Sequence, residues 1–188
     1  MKKIPTTAEK VFEGIIFDVY HWQQEMFDGT FSTFEGLKKK DSVTILATVG
    51  DRIIVNDEEQ PGREAFTALP GGQVERGDEP LASAKRELQE ETGYTSHDWQ
   101  EWFSNDPTDY GKIEWTNHFF IARNCEKTSE QNLDSGEKIT PHLLTFEEFL
   151  EFRNNPKVRN KDLFPILEKA SKDESEKQKL KELLFTKN

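Results

Sequence analysis

The stretch LPGGQVERGDEPLASAKRELQEETGY, residues 69–94, constrains the fold of this chain most strongly. It places a Gly-Gly turn before a predicted helix. Asp78 is the predicted N-cap of this helix, and Gly93 is predicted to end it in a left-handed conformation. Pro80 lies in the first turn, where proline is favoured. Three apolar residues share one helical face: Leu81, Ala84 and Leu88. The pattern predicts a helix that packs on a sheet by that face.

The same helix concentrates negative charge, since Glu87, Glu90 and Glu91 lie within five residues. Like charges at i,i+4 weaken an isolated helix by roughly 0.2–0.5 kcal/mol per pair, so a positive charge is expected among them. Glu87 and Glu91 are one turn apart and can supply oxygen ligands to a hard divalent cation. Gly71 and Gly72 let the backbone come close, so a carbonyl there can complete the ligand set. The alternative is a solvated acidic face.

The N-terminal half of the chain is typical of antiparallel strands. Residues 10–36 alternate β-rich runs around Asp28-Gly29, which is a strong hairpin signal. The runs SVTILATV and RIIV flank Gly50-Asp51 and predict a second hairpin. After the helix, WTNHFFIARN predicts a strand, and KITPHLL a weaker strand broken by Pro141.

The C-terminal part of the chain is predicted to be helical. Thr145 and Glu148 have the spacing of a capping box before FEEFLEF, a helix with Phe149 and Phe152 facing inward. The apolar residues after Lys161 predict one or two further helices.

The composition limits the class of protein. The chain has 188 residues, 34% of them hydrophobic, which favours one globular domain. A net charge of −11 argues against a broad nucleic-acid or membrane-binding surface. Cys125 is the single cysteine, which excludes an intramolecular disulfide and fits a reducing compartment. No apolar run approaches a membrane span, and the first residues lack the apolar core of a signal peptide, so we expect a cytoplasmic protein.

Residues 72–94 resemble the Nudix box, G-x5-E-x7-R-E-U-x-E-E-x-G-U, where U is a bulky apolar residue. The matching positions are Gly72, Arg86, Glu87, Leu88, Glu90, Glu91, Gly93 and Tyr94. One position departs from the box, because Asp78 stands where the first Glu is expected. The shorter side chain keeps the charge but changes the reach of any contact made from position 78.

The resemblance implies an α/β fold, an α/β/α sandwich with a mixed β-sheet, plus an N-terminal antiparallel β extension. We expect one domain over residues 1–188, in three parts: an extension and dimerisation element over 1–40, the Nudix core over 41–155 and a helical tail over 156–188. By position in the box, the resemblance implies metal ligands at Glu87, Glu91 and the Gly71 carbonyl, and a ligand or base at Glu90. Arg86 is implied to pair with the acids and orient them. The implied cofactor is Mg²⁺, with Mn²⁺ as a substitute.

Outside the box the chain is similar to the ADP-ribose pyrophosphatase and nucleoside diphosphate sugar hydrolase branch. Gln60 and Arg63 form a Gln-x-x-Arg element before the turn, and Arg63 can contact a phosphate bidentately. The branch often carries its general base in the loop at LDSGEK, which points to Glu137, with Asp134 as its neighbour. A surface arginine and a solvated loop are the alternatives.

The N-terminal extension carries the last part of this resemblance. In that branch it commonly crosses to a second subunit and helps to build the nucleoside pocket, which implies a homodimer. Trp22, Phe17 or Phe27 can stack on a base, although aromatic residues that alternate in a hairpin are more often core.

The resemblance implies Mg²⁺-dependent hydrolysis of the diphosphate of ADP-ribose or a related nucleoside diphosphate sugar, giving a nucleoside monophosphate and a sugar phosphate. Two alternatives stay open. One is hydrolysis of dinucleoside polyphosphates or nucleoside triphosphates. The other is a sensor that binds a nucleotide metabolite without cleaving it, although the intact acids count against it.

Overall fold

The computed structural model describes residues 3–106 and 112–186. The strands in chain order are β1 Glu9–Glu13, β2 Phe17–Glu25, β3 Phe31–Lys39, β4 Ser42–Val49, β5 Arg52–Glu59, β6 Phe66–Ala68, β7 Tyr94–Thr95, β8 Asp98–Asn105, β9 Ile113–Glu114, β10 Asn117–Arg123, β11 Glu126–Lys127 and β12 Lys138–Thr145. The helices are α1 Pro80–Thr92, α2 Phe146–Leu150, α3 Phe164–Lys172 and α4 Glu174–Phe185, with short 3-10 turns at Glu151–Asn154 and Lys161–Leu163.

The central sheet has the order β12-β5-β4-β10-β8, with β6 paired to β5. Strands β4 and β10 run parallel, whereas β10 with β8, β12 with β5, and β4 with β5 are antiparallel. The sheet is therefore mixed, as predicted. A second sheet, β1-β2-β3-β9, is built mainly from the N-terminal strands, and β7 pairs with β11.

Both faces of the central sheet are covered because its strands alternate their apolar side chains. On β10, Phe119 and Ile121 face one core, and Phe120 and Ala122 face the other. Helix α1 closes the second core, in which its residue Leu88 is fully buried. Helices α2, α3 and α4 close the first. This arrangement confirms the predicted α/β/α sandwich.

Several local sequence signals form the turns and caps that they predict. Asp28-Gly29 joins β2 to β3, with Glu25 opposite Phe31. Gly50-Asp51 joins β4 to β5 in the same way. The capping box of α2 is complete, because the Thr145 hydroxyl accepts from the Glu148 N–H while the Glu148 carboxylate accepts from the Thr145 N–H.

Three local predictions are wrong. Pro141 does not break its strand, because β12 lies at the edge of the central sheet and, within the described residues, pairs only with β5, so the missing N–H costs little. The N-cap of α1 is Glu79 rather than Asp78, and no side chain caps it. Leu81 is 36% exposed, so the buried stripe of the helix begins one turn later, at Ala84. Strand β8 was not predicted.

None of the helices in the described residues is long and apolar enough to cross a membrane.

Candidate active site

The Gly-Gly turn lies against the acidic helix. The Pro70 and Gly72 carbonyls accept hydrogen bonds from Ile45 and Val43 of β4, at 2.8 and 2.9 Å. The Gly71 N–H points to the helix instead, because it donates to Oε2 of Glu91 at 3.0 Å. A Cβ on Gly72 would lie 2.4 Å from Cδ of Glu87. Only glycine allows this contact between turn and carboxylate.

Glu91 is buried at the centre of this contact, with 4% of its surface exposed. Its Oε2 accepts from the Gly71 N–H at 3.0 Å and from Nδ2 of Asn56 at 3.1 Å. Burial, and then the nearby carboxylate of Glu58, raise the pKa of Glu91 well above its usual range. Neither hydrogen-bond donor carries a charge, and no basic side chain in the described part of the chain contacts this carboxylate.

Arg86 is the positive charge expected among the acids. Its guanidinium contacts Glu87 Oε1 and Glu90 Oε2, each at 2.7 Å. Burial raises the pKa of Glu87, although Arg86 opposes the shift. The two carboxylates are thus held beside each other by one side chain.

A loop brings Glu137 to the same wall. The Asn132 N–H donates to the Glu90 carbonyl at 2.9 Å, and the Gln131 amide donates to the Glu91 carbonyl, so the loop is tied to the end of α1. Burial raises the pKa of the half-buried Glu137. Gly93 makes this approach possible, because it ends α1 at φ +75° and a Cβ there would lie 2.2 Å from the Ser129 carbonyl oxygen.

These side chains line a cavity of about 670 Å³. The predicted residues that line it are Gln60, Arg63, Gly71, Arg86, Glu87, Glu90, Glu91, Asp134 and Glu137. Phe17 and Trp22 are not among the described residues that line it; they lie in β2, where Trp22 packs against Phe34 with ring centroids 5.9 Å apart. Their predicted contact with a base stays a prediction.

The cavity also contains residues that the sequence did not single out. Glu58 is 7% exposed, and burial raises its pKa to about 7, with Arg159 opposing the shift and Glu137 adding to it. Lys39, Arg159 and Asn117 line other parts of the wall. Glu58 had a weak sequence signal, as an acidic residue three positions after the predicted strand RIIV and two positions before Gln60. Arg159 lies after the predicted Nudix core over 41–155, and no sequence signal pointed to it.

The acidic wall suits a hard divalent cation in its chemistry. It presents carboxylate oxygens, and Mg²⁺ commonly takes one or two protein carboxylates together with waters. Oδ1 of Asn56, beside Glu91, is buried and has no hydrogen-bond partner in the described part of the chain. Burial raises the pKa values of Glu87 and Glu91, so keeping both carboxylates charged is costly. A bound cation would lower that cost.

The carboxylates of the acidic wall do not converge on one point in this structure. Within residues 3–106 and 112–186, no three His, Cys, Asp or Glu side chains converge as a ready metal cluster. The reason is that Glu87 and Glu90 face Arg86, while Glu91 faces Gly71 and Asn56. Rotation of the Glu87 or Glu90 carboxylate away from Arg86 would free its oxygens for a cation.

Comparisons with known proteins agree with this site. A family model described as NUDIX domain matches residues 38–165. The ADP-ribose pyrophosphatase of Bacillus subtilis (strain 168) is 30% identical over 153 residues, covering 80% of this chain and 82% of that protein. The methanol dehydrogenase activator of Bacillus methanolicus is 27% identical over 154 residues, covering 80% and 83%. The chain belongs to the Nudix family.

The fold is also similar to a solved structure. The crystal structure of an ADP compounds hydrolase superimposes with a TM-score of 0.70 at 17% identity, covering 92% of this chain and 96% of the other. At that identity the likeness concerns the fold, and it extends over nearly the whole of both chains.

Proposed function

We propose that this protein hydrolyses the diphosphate bond of ADP-ribose or a related nucleoside diphosphate sugar, giving a nucleoside monophosphate and a sugar phosphate. The observation that carries the proposal is the wall of Glu87, Glu90 and Glu91 against the Gly-Gly turn, which faces a cavity that also contains Gln60 and Arg63. The family supports pyrophosphohydrolase chemistry. The Bacillus subtilis relative, which is named an ADP-ribose pyrophosphatase, supports the substrate.

The proposed cofactor is Mg²⁺, with Mn²⁺ as a substitute. Glu87, Glu90, Glu91 and the Gly71 carbonyl would hold it. When bound, such ions would neutralise the diphosphate and activate a water. Arg86 would orient the carboxylates through its two ion pairs.

Two side chains are candidates for the general base. Glu137 would accept the proton of the attacking water at a carboxylate oxygen, because it lies at the cavity wall with a pKa raised by burial. Glu90 is the alternative, and it also lines the cavity. Arg63 would meet a phosphate through its guanidinium fork, and Gln60 would donate or accept hydrogen bonds beside it.

The N-terminal extension supports a homodimer. Seven of the eight exposed large apolar residues in the described chain lie in or beside β1–β3: Val11, Phe12, Ile15, Ile16, Phe27, Phe31 and Phe34. Exposed apolar side chains concentrated in one part of the chain favour a protein partner. In such a dimer, Trp22 and Phe17 of one copy would complete the nucleoside pocket of the other. Light scattering after chromatography should give twice the monomer mass, and Phe12→Ser with Phe31→Ser should halve it.

The absence of a membrane or nucleic-acid partner and the cytoplasmic location remain predictions from composition.

The function is tested with purified protein, ADP-ribose and a panel of nucleotide sugars, dinucleoside polyphosphates and nucleoside triphosphates, with and without Mg²⁺. Products are identified by chromatography for the wild type, Glu91→Gln and the control Glu126→Gln, which changes an exposed residue of β11 outside the cavity. We expect AMP and ribose 5-phosphate only with metal, and a loss of about 10³-fold in kcat/KM for Glu91→Gln.

Two results would contradict the proposal. Preferred cleavage of a triphosphate or dinucleoside polyphosphate would keep the chemistry and change the substrate. Saturable binding of ADP-ribose with no product in excess Mg²⁺ would indicate a sensor.

A further inference from the structure

Three cations line the cavity without an acidic partner: Lys39, Arg63 and Arg159. Among the residues that the structure describes, none of the three has a carboxylate within 4.0 Å, whereas neighbouring basic residues do. Lys40, the next residue after Lys39, pairs with Glu75 at 2.8 Å. Arg86 pairs with two acids across the same cavity. Unpaired cations are unexpected in a chain with a net charge of −11.

These three cations are close enough to repel one another. Burial, and then Arg159 and Arg63, lower the pKa of Lys39. Burial and then Arg63 lower the pKa of Arg159, which Glu58 opposes. Arg63 and Arg159 therefore make the charge of Lys39 less favourable, Arg63 has the same effect on Arg159, and a bound anion would reverse that cost.

Packing holds two of the cations in place. The Arg159 guanidinium lies over the ring of Phe66, with its Cζ 4.2 Å from the centroid, and the Arg159 N–H donates to the Thr67 carbonyl at 3.0 Å. Nζ of Lys39 lies 4.3 Å from the centroid of the Trp115 ring. Side chains fixed on aromatic faces lose little further conformational freedom when a ligand arrives.

We propose that Lys39, Arg63 and Arg159 form an anion subsite that binds a phosphate group of the substrate, with Lys39 and Arg159 as specificity-determining residues. The inference rests on the proposed function for the identity of the substrate. Two guanidiniums and an ammonium match the several acceptor oxygens of a phosphate. The phosphate is either part of the diphosphate or an additional phosphate on the nucleoside or sugar.

The first test measures binding without metal or turnover. Pyrophosphate and AMP are titrated by calorimetry in EDTA into the wild type, Arg159→Gln and Lys39→Met. The matched controls are Arg52→Gln, an exposed arginine outside the cavity, and Lys181→Met, a lysine that also lies over a ring, that of Phe146, outside the cavity. We expect each subsite variant to weaken binding by about 10-fold or more, as loss of a charge-assisted hydrogen bond does. Both controls should bind like the wild type.

The second test separates the two sources of phosphate. KM is compared for ADP-ribose and for ADP-ribose 2′-phosphate with Mg²⁺ in the same variants. A rise for both substrates assigns the subsite to the diphosphate, and a rise for the phosphorylated substrate alone assigns it to the additional group. Arg159→Lys, which keeps the charge and loses the fork, should fall between the wild type and Arg159→Gln.

The outcomes distinguish this inference from the proposed function. If the wild type cleaves ADP-ribose while Arg159→Gln and Lys39→Met leave both KM and metal-free binding unchanged, the subsite is wrong and the function stands. If no substrate is cleaved but metal-free phosphate binding is lost in the variants, the subsite stands and the hydrolase proposal fails.

Discussion

The acidic and the basic side of the cavity are built in different ways. The acidic side comes mostly from one continuous segment, the Gly-Gly turn and α1, and its carboxylates are held by Arg86, Asn56 and backbone N–H groups. The basic side collects Lys39 from the end of β3, Arg63 from the β5–β6 loop and Arg159 from the segment after α2. The acidic side is thus arranged by its own contacts, whereas none of the three cations of the basic side has a carboxylate within 4.0 Å among the described residues.

Among the variants that test this comparison between the two sides, the largest effect is expected at Gly72, where the turn contacts the acidic helix. Gly72→Ala would place a Cβ 2.4 Å from Cδ of Glu87, so either the turn or the carboxylate must move. A displacement of about 1 Å at a catalytic site costs on the order of 100-fold in rate. We expect kcat/KM with Mg²⁺ to fall by about that factor.

Gly136→Ala is the matched control for the Gly72 variant. It also changes a glycine near the site, but a Cβ there meets no atom within 4 Å. It should keep wild-type activity. If both variants are fully active, the contact between turn and carboxylate does not position the acids.

A smaller effect is expected at Asn56, which donates a hydrogen bond to Glu91 but does not itself line the cavity. Asn56→Leu removes the donor to Oε2, so the carboxylate loses one of its two fixed contacts. Loss of a residue that orients a metal ligand typically costs about 10- to 100-fold in metal affinity. We expect that loss for Mn²⁺ binding, measured by calorimetry without substrate.

Asn105→Leu is the control for the Asn56 variant, because Asn105 also has a buried, unpartnered Oδ1 and lies on β8 outside the cavity. It should bind Mn²⁺ like the wild type. Equal affinity in the wild type and Asn56→Leu would show that Gly71 alone positions Glu91.

The same contrast explains what the sequence predicts. Helix α1 could be recognised because its signals, the Gly-Gly turn, the spaced acids and Gly93, all lie within one segment. Arg86 could be expected as the partner of the acids because residues four apart on a helix are neighbours. The hairpins at Asp28-Gly29 and Gly50-Asp51 were equally local.

The remaining features depend on tertiary contacts. Pro141 is tolerated because its strand lies at the sheet edge, and nothing in KITPHLL specifies an edge. Arg159 reaches the cavity because its backbone hydrogen-bonds to Thr67 of β6, which is 92 residues away in sequence. Of the basic side, only Arg63 could therefore be predicted from the sequence.

The smallest expected effect concerns stability rather than activity, and it tests whether burial in the cavity wall raises the pKa of Glu58. The pKa of Glu58 is about 7 in the folded protein against 4.5 as its ordinary value, because of burial. A raised folded-state pKa means that the contribution of Glu58 to stability is fully present below pH 4.5 and is lost as the pH rises through about 7. The loss is at most about 3 kcal/mol.

Metal-free protein should therefore unfold at lower urea concentration at about pH 8 than at about pH 5, and Glu58→Gln should reduce that difference. Gln keeps the shape and removes the titration, so the variant should gain stability mainly at the higher pH. Glu126→Gln, which changes an exposed glutamate on β11, should leave the pH dependence as in the wild type. If Glu58→Gln also keeps the wild-type pH dependence, Glu58 is charged without cost in the folded protein, and Arg159, not solvent exclusion, sets its environment.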